Sequence, residues 1–271
     1  MKTTQVPVAA GRYTVEVVEE GSGPPLLFLH GISGLHWTPF LDGLAKQYRV
    51  IAPRTPGFGD ASQTELDTVQ DLVYAYLDLL DALGLESVPV FGHSLGGMVA
   101  AELAATQPKR FPWLALAAPM GFFHIDRPTF DFFACTPSEL ASAFFADPTG
   151  EAAQNSGEAG LMRMVKAGTK SETGQQLVET YLERAKTLAT AAKYLWPIPN
   201  RGLSKRIHRV TSPTLLIWGK HDRVVPPSYA ADFTQGIRGA KLVEVEAAGH
   251  ELLLEQPDAV LRTLAAFASA R

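Results

Sequence analysis

The sequence predicts an α/β fold in which a mostly parallel sheet is flanked by helices. Short apolar runs typical of buried strands alternate with segments whose apolar residues recur at helical spacing. A strand–turn–helix signature occupies residues 88–100. Between about 120 and 210 the alternation stops, and this stretch predicts a helical insertion.

The composition limits the class of protein. With 271 residues, 46% of them hydrophobic, the chain can form one large core, assigned to 1–119 and 211–271, with the insertion at 120–210. The formal net charge of −4 argues against nucleic acid or an anionic membrane as the main partner.

The single cysteine, Cys135, cannot form an internal disulfide and fits a reducing compartment. Residues 1–17 lack the apolar core of a secretory signal, and no run is long enough to span a membrane. We therefore expect a cytoplasmic protein without membrane insertion.

Up to Gly84 the sequence predicts three strands and two helices. Residues 12–19 alternate apolar and polar, as a half-buried strand does, whereas Leu26–Leu29 is a continuous apolar run, as expected of a strand covered on both faces. From Thr68 to Leu83 the apolar residues fall at helical spacing, and Gly84 closes the segment. The other elements predicted in this part are a helix at 37–48 and a strand at 49–52.

An apolar run and an Ala-rich run flank the sequence Gly-His-Ser-Leu-Gly at 92–96. A serine on a very tight strand-to-helix turn has a strained backbone, and side chains two positions before and after it would collide with the neighbouring strand and helix. Gly92 and Gly96 remove those side chains. The turn places the hydroxyl of Ser94 at the positive end of the following helix, where the N–H of Leu95 can point at a developing oxyanion. Ser94 is therefore a candidate nucleophile, provided that a base and an acid lie nearby.

After a predicted strand at 113–118, the insertion mixes helical pieces with loops. Seven of the 14 phenylalanines lie between Phe122 and Phe145, and we expect some to pack on the main domain and some to line an apolar pocket under a lid. The helical pieces are predicted at 137–145, 160–166 and 174–194. The alternation resumes with a strand at 214–219, a helix at 229–235, a strand at 241–246 and a helix at 257–269.

Three polar residues follow predicted strands in the order Ser94, Asp222, His250. Open parallel sheets place their sites at the carboxyl ends of strands, so side chains far apart in sequence converge there. A serine, then an acid, then a histidine is a known chain order for a catalytic triad.

Taken together, the motifs resemble those of the α/β-hydrolase fold family, in particular lidded serine esterases. The residues that carry the resemblance are His30-Gly31, Pro56–Gly59, Gly92–Gly97, Gly219–Pro226, Gly249-His250 and Glu255–Pro257. The resemblance implies Ser94 as nucleophile, His250 as general base and then acid, and Asp222 as the orienting carboxylate. It also implies a helical lid and an oxyanion hole formed by the backbone N–H groups of Ile32 and Leu95.

Other polar residues compete less well for these roles. Asp126 is the alternative acid. It follows the predicted strand at 113–118, and some family members carry their acid after that strand. His93 and His30 are expected to support the site without transferring protons, and His30 does so by bracing the oxyanion loop. No group of His, Cys, Asp and Glu has the spacing of metal ligands, so we expect no metal and no cofactor. A solvated face, with a substrate-carboxylate anchor as the alternative, is predicted for the basic run Arg201, Lys205, Arg206 and Arg209.

Several reactions use this fold, so the chemistry has to come from the residues. Ser94 argues against dehalogenation and epoxide opening, which in this family use a carboxylate nucleophile. Hydrolases of keto-dienoate C–C bonds typically carry a tryptophan directly after the catalytic histidine, whereas here Glu251 follows His250. The sequence favours a carboxylesterase that acts on small to medium apolar esters through an acyl-enzyme. The alternatives are C–C bond hydrolysis, lactone hydrolysis and a ligand-binding receptor with little turnover.

Overall fold

The structure is a computed structural model that describes residues 1–58, 65–154, 156, 172–196, 198 and 200–271. Within these residues eight strands form one sheet. They are β1 (Lys2–Val8), β2 (Tyr13–Glu20), β3 (Pro25–Leu29), β4 (Arg49–Pro53), β5 (Val90–His93), β6 (Leu114–Ala117), β7 (Thr214–Gly219) and β8 (Lys241–Val245). The spatial order is β1-β2-β4-β3-β5-β6-β7-β8. From β4 to β8 all neighbours pair in parallel, whereas β2 pairs antiparallel with both β1 and β4. The predicted mostly parallel sheet is confirmed.

Helices flank the sheet, as predicted, and most lie between consecutive strands. The described helices are α1 (Pro39–Ala45), α2 (Val69–Ala82), α3 (Leu95–Thr106), α4 (Pro137–Phe144), α5 (Glu151–Gln154), α6 (Glu172–Leu195), α7 (Ala230–Gly236), α8 (Leu252–Glu255) and α9 (Pro257–Ala268). The start of α2 shows how local chemistry sets a boundary: the hydroxyl of Thr68 accepts from the N–H of Asp71, and the Asp71 carboxylate accepts from the N–H of Thr68.

β1 lies outside the predicted elements. It is an edge strand in which only Val6 and Val8 are buried, and it pairs with β2 alone. Two buried positions in seven residues produce almost no alternation, so the pattern that predicts β2 is absent from β1.

Between β6 and β7 the structure places α4, α5 and α6. The helices predicted at 137–145 and 174–194 are confirmed as α4 and as part of α6, whereas the one predicted at 160–166 lies outside the described residues, as does Gly59. Among the phenylalanines between 122 and 145, Phe122 packs on Phe233 of α7, with ring centroids 4.9 Å apart. None of the helices searched in the described parts of the chain combines the length and the apolarity that crossing a membrane requires.

The solvated face predicted for the basic run between Arg201 and Arg209 is found only in part: Lys205 and Arg209 are exposed, whereas Arg206 is half-buried and paired. Arg206 donates from Nε and Nη2 to the two carboxylate oxygens of Glu102 on α3, at 2.7 and 2.6 Å. Arg209 donates to the carbonyl oxygen of Ala105 at 2.9 Å, and Arg201 also donates to backbone carbonyl groups. Arg206 and Arg209 make these hydrogen bonds because α3 ends here with unpaired carbonyl groups and a buried carboxylate, both of which require donors.

Candidate active site

Ser94 occupies the turn between β5 and α3 with φ 55° and ψ −115°, a conformation that residues with a Cβ rarely adopt. A Cβ on Gly92 would overlap the carbonyl oxygen of Gly96, and a Cβ on Gly96 would overlap that of Leu29 in β3. The steric requirement for both glycines is therefore confirmed. The turn leaves Ser94 directly before the first residue of α3.

His250 lies between Ser94 and Asp222. Its Nε2 is 2.9 Å from Oγ of Ser94, and its Nδ1 is 2.9 Å from Oδ2 of Asp222. All three side chains are buried, with exposures of 1% for Ser94, 1% for His250 and 4% for Asp222. Because a carboxylate only accepts, Nδ1 carries the proton and Nε2 can accept the proton of the serine hydroxyl. The structure thus brings together the three residues that the sequence selects.

The turn after β7 holds the carboxylate of Asp222 in place. Its Oδ1 accepts hydrogen bonds from the N–H groups of Val224 and Val225, at 2.8 and 2.9 Å, which leaves Oδ2 for His250. Asp126, the alternative acid, is exposed to solvent. The contact to the histidine is therefore made by Asp222.

The pKa values of the buried histidines shift in opposite directions. Burial lowers the pKa of His250, but the charge and hydrogen bond of Asp222, with the charge of Glu251, outweigh burial and raise that pKa above its ordinary value. This environment favours the imidazolium that forms when His250 takes a proton. For His30 and His93 burial dominates and lowers the pKa to about 4 and about 3, so both are neutral near pH 7.

The candidate oxyanion hole lies where β3 ends and α3 begins. Within the described part of the chain, neither the N–H of Ile32 nor that of Leu95 has a hydrogen-bond acceptor, so both can donate to a ligand. His30 braces the loop, as predicted: its Nδ1 donates to the carbonyl oxygen of Gly31 at 2.7 Å, and its Nε2 accepts from the N–H of Thr55 at 2.9 Å.

A cavity of about 1040 Å³ lies beside these residues. Ser94 is not among its lining residues, but Gly31 is, and a Cβ on Gly31 would lie only 3.2 Å from Cβ of Ser94. The wall contains charged side chains, among them Asp147, Arg184 and Glu251. Its apolar residues include Phe28, Ile32, Leu140, Phe144, Phe145 and Leu253.

The end of α4 contacts the loop that carries His250. The ring of Phe144 meets the imidazole of His250 edge to face, with centroids 5.3 Å apart and planes at 79°. The carboxylate of Glu255 accepts from the N–H of Gly249 at 2.7 Å and from the N–H of Ala146 at 2.8 Å. One wall of the cavity and the position of the histidine are therefore set by the same contacts.

Two polar residues have roles that the sequence does not predict. Arg223 donates to the carbonyl oxygens of Ser142 and Phe145, at 2.6 and 3.2 Å, and so holds the end of α4. Glu251 accepts from Oγ of Ser33 in the oxyanion loop at 3.2 Å. The only sequence signal for either residue is that each directly follows a predicted site residue, Asp222 or His250.

The fold and this arrangement define an α/β hydrolase. The sequence model of the alpha/beta hydrolase fold family matches residues 24–257, and the chain belongs to that family.

One curated protein and two solved structures match nearly the whole chain. A 2-hydroxy-6-oxo-6-phenylhexa-2,4-dienoate hydrolase of Comamonas testosteroni is 27% identical over 263 residues, covering 91% of this chain and 88% of that protein. The crystal structure of a membrane phospholipase A, a bacterial virulence factor, superimposes with a TM-score of 0.78 at 24% identity, covering 99% of this chain and 86% of that one. A thermophilic esterase from Thermogutta terrifontis has a TM-score of 0.69 at 20% identity and covers 100% and 99% of the two chains. At these identities the two structures are similar in fold.

Proposed function

We propose that the protein is a serine hydrolase of the carboxylesterase class, which cleaves uncharged esters of small to medium size through an acyl-enzyme on Ser94. The observation that carries the proposal is the continuous hydrogen-bonded chain from Ser94 through His250 to Asp222, beside a cavity with a largely apolar wall. We also propose that the insertion at 120–210 acts as a lid, since Leu140 of α4 lines that cavity.

In the proposed reaction, Nε2 of His250 takes the hydroxyl proton of Ser94 while Oγ forms a bond to the ester carbonyl carbon. The carbonyl oxygen becomes an oxyanion and accepts hydrogen bonds from the N–H groups of Ile32 and Leu95. His250 then gives its proton to the alkoxy oxygen as the C–O bond breaks, and the alcohol departs. Water attacks the acyl-enzyme with His250 again as base, which releases the carboxylic acid and restores Ser94.

The charged groups support an uncharged substrate. Arg201, Arg206 and Arg209 bond to acceptors within the protein, and no residue of the basic run lines the cavity, which argues against the run as an anchor for a substrate carboxylate. Glu251 follows the histidine and lines the cavity, where its charge opposes an anionic acyl group.

The proposal is tested with a panel of short and medium aryl esters and a serine-directed phosphonate. We expect Ser94→Ala to lower kcat by about three orders of magnitude or more and to abolish labelling. Ser269→Ala, which changes an exposed serine near the last helix, is the matched control and should keep both. Label on another residue, or an active preparation without label, would contradict the assignment.

A second candidate is hydrolysis of a C–C bond in a keto-dienoate, favoured by the activity of the Comamonas testosteroni relative. Arg184 lies in the cavity wall and is the residue to substitute in that case. Turnover of a keto-dienoate well above that of any ester, with a raised KM in Arg184→Gln, would make this the better assignment.

A further inference from the structure

His93 and Ser94 are consecutive in the chain, and both contact His250. Oγ of Ser94 lies 2.9 Å from Nε2 of the His250 ring, whereas Nε2 of His93 lies 2.9 Å from the His250 backbone carbonyl oxygen. The turn that contains His93 and Ser94 thus contacts both the ring and the main chain of His250. His93 is 5% exposed, so water competes poorly for its hydrogen bond.

The direction of the hydrogen bond from His93 follows from its acceptor. A carbonyl oxygen has no proton to donate, so Nε2 of His93 carries the hydrogen. Burial, followed by the nearby charge of His250, lowers the pKa of His93 to about 3. His93 therefore stays a neutral donor while His250 is charged, which avoids a second cation where the two ring centroids are only 5.2 Å apart.

The other ring nitrogen of His93 lies against the oxyanion loop. A Cβ on Gly31 would be 3.0 Å from Nδ1 of His93, tighter than most real contacts of this kind, so glycine permits this approach. His93 thereby touches both the loop that leads to Ile32 and the main chain of His250.

We propose that His93 is a positioning residue, whose Nε2–H fixes the main chain of His250 so that the imidazole stays within hydrogen-bond distance of Ser94. The inference rests on the proposed roles of Ser94 and His250. If His93 only filled space, a side chain of similar volume without a donor would serve equally well.

Two substitutions separate positioning from packing. In His93→Gln the amide N–H reaches nearly the position of the imidazole Nε2–H, whereas His93→Leu keeps apolar volume without a donor. We expect His93→Leu to lower kcat about 10- to 100-fold with KM unchanged, because a loosened base raises the barrier without altering substrate contacts. His93→Gln should stay within about threefold of the wild type in kcat.

A second measurement needs no substrate. The proton between Nδ1 of His250 and Asp222 should give a downfield ¹H NMR resonance, which His93→Leu shifts or broadens and His93→Gln retains. Equal kcat in the two variants, a resonance unchanged by His93→Leu, or activity losses that merely follow the melting temperature would each overturn the inference. Failure of the proposed function is seen separately, as an unlabelled Ser94 in the wild type treated with phosphonate.

Discussion

Arg206 and Glu102 form a bidentate ion pair between the segment that precedes β7 and the helix that follows Ser94. The two donor–acceptor distances are 2.7 and 2.6 Å, and the carboxylate side chain of Glu102 is 0% exposed, whereas the side chain of Arg206 is 31% exposed. The pair therefore joins the end of the insertion to α3, whose N-terminus carries the candidate nucleophile.

Removal of the guanidinium should destabilise the protein, because it leaves a buried carboxylate without its charged partner. We expect Arg206→Met to lower the free energy of unfolding by about 2–3 kcal/mol, somewhat less than for a fully buried pair because Arg206 is partly exposed. The exposed neighbour Lys205 provides the control, since Lys205→Met should change stability by less than about 0.5 kcal/mol. Urea denaturation of both variants measures the difference, and equal stabilities would contradict the role of the pair.

The meeting of Ser94, His250 and Asp222 could be predicted from the sequence because its signals are local. Gly92 and Gly96 mark a turn that only glycine permits, and Asp222 and His250 each follow a recognisable strand. The parallel sheet then brings these strand ends together without any further information from the side chains.

The contacts that the sequence does not predict join residues from distant parts of the chain. Glu102 stands in an Ala-rich helix and Arg206 in a basic run, and nothing near either residue indicates that the two meet. The contact from His93 to the carbonyl oxygen of His250 is of the same kind. β1 illustrates a different limit, since an edge strand with two buried residues produces too weak a pattern.

Asp222→Asn should cost far more activity than Asp126→Asn. Asp222 accepts from Nδ1 of His250 and holds the tautomer whose Nε2 can accept a proton, whereas Asp126 is exposed. With a neutral aryl ester, we expect Asp222→Asn to lower kcat/KM by about three orders of magnitude or more, and Asp126→Asn by less than about threefold. The reverse order of losses would assign the acid to the earlier loop.

The pH dependence of activity should report the raised pKa of His250. The base acts in its neutral form, so kcat/KM should rise as the pH passes upward through a pKa above the ordinary 6.5. In Asp222→Asn the raising charge is lost while burial remains, so the residual activity should rise at a lower pH. Profiles with a neutral ester measure both, and Asp126→Asn should coincide with the wild type. A wild-type profile that rises below pH 6.5 would contradict the environment described for His250.

The acyl-chain preference should be set by the wall that α4 contributes. Leu140 lines the cavity and is 4% exposed. Each buried methylene is worth about 0.8 kcal/mol, or close to fourfold in affinity, so kcat/KM of the wild type should rise by up to that factor per methylene beyond acetate, until the cavity is filled, and then fall.

Truncation at Leu140 should move that optimum. We expect Leu140→Ala to favour acyl chains longer by about one or two methylenes, because the removed side-chain carbons leave space of that size. Leu203→Ala is the matched control: Leu203 is fully buried but does not line the cavity, so its truncation should lower stability and leave the optimum in place. Kinetics over a homologous series of neutral acyl esters, run on the three proteins, decides the matter. If all three proteins preferred the same acyl-chain length, or if kcat/KM of the wild type rose steadily to long chains, the wall formed by α4 would not limit the length of the acyl group.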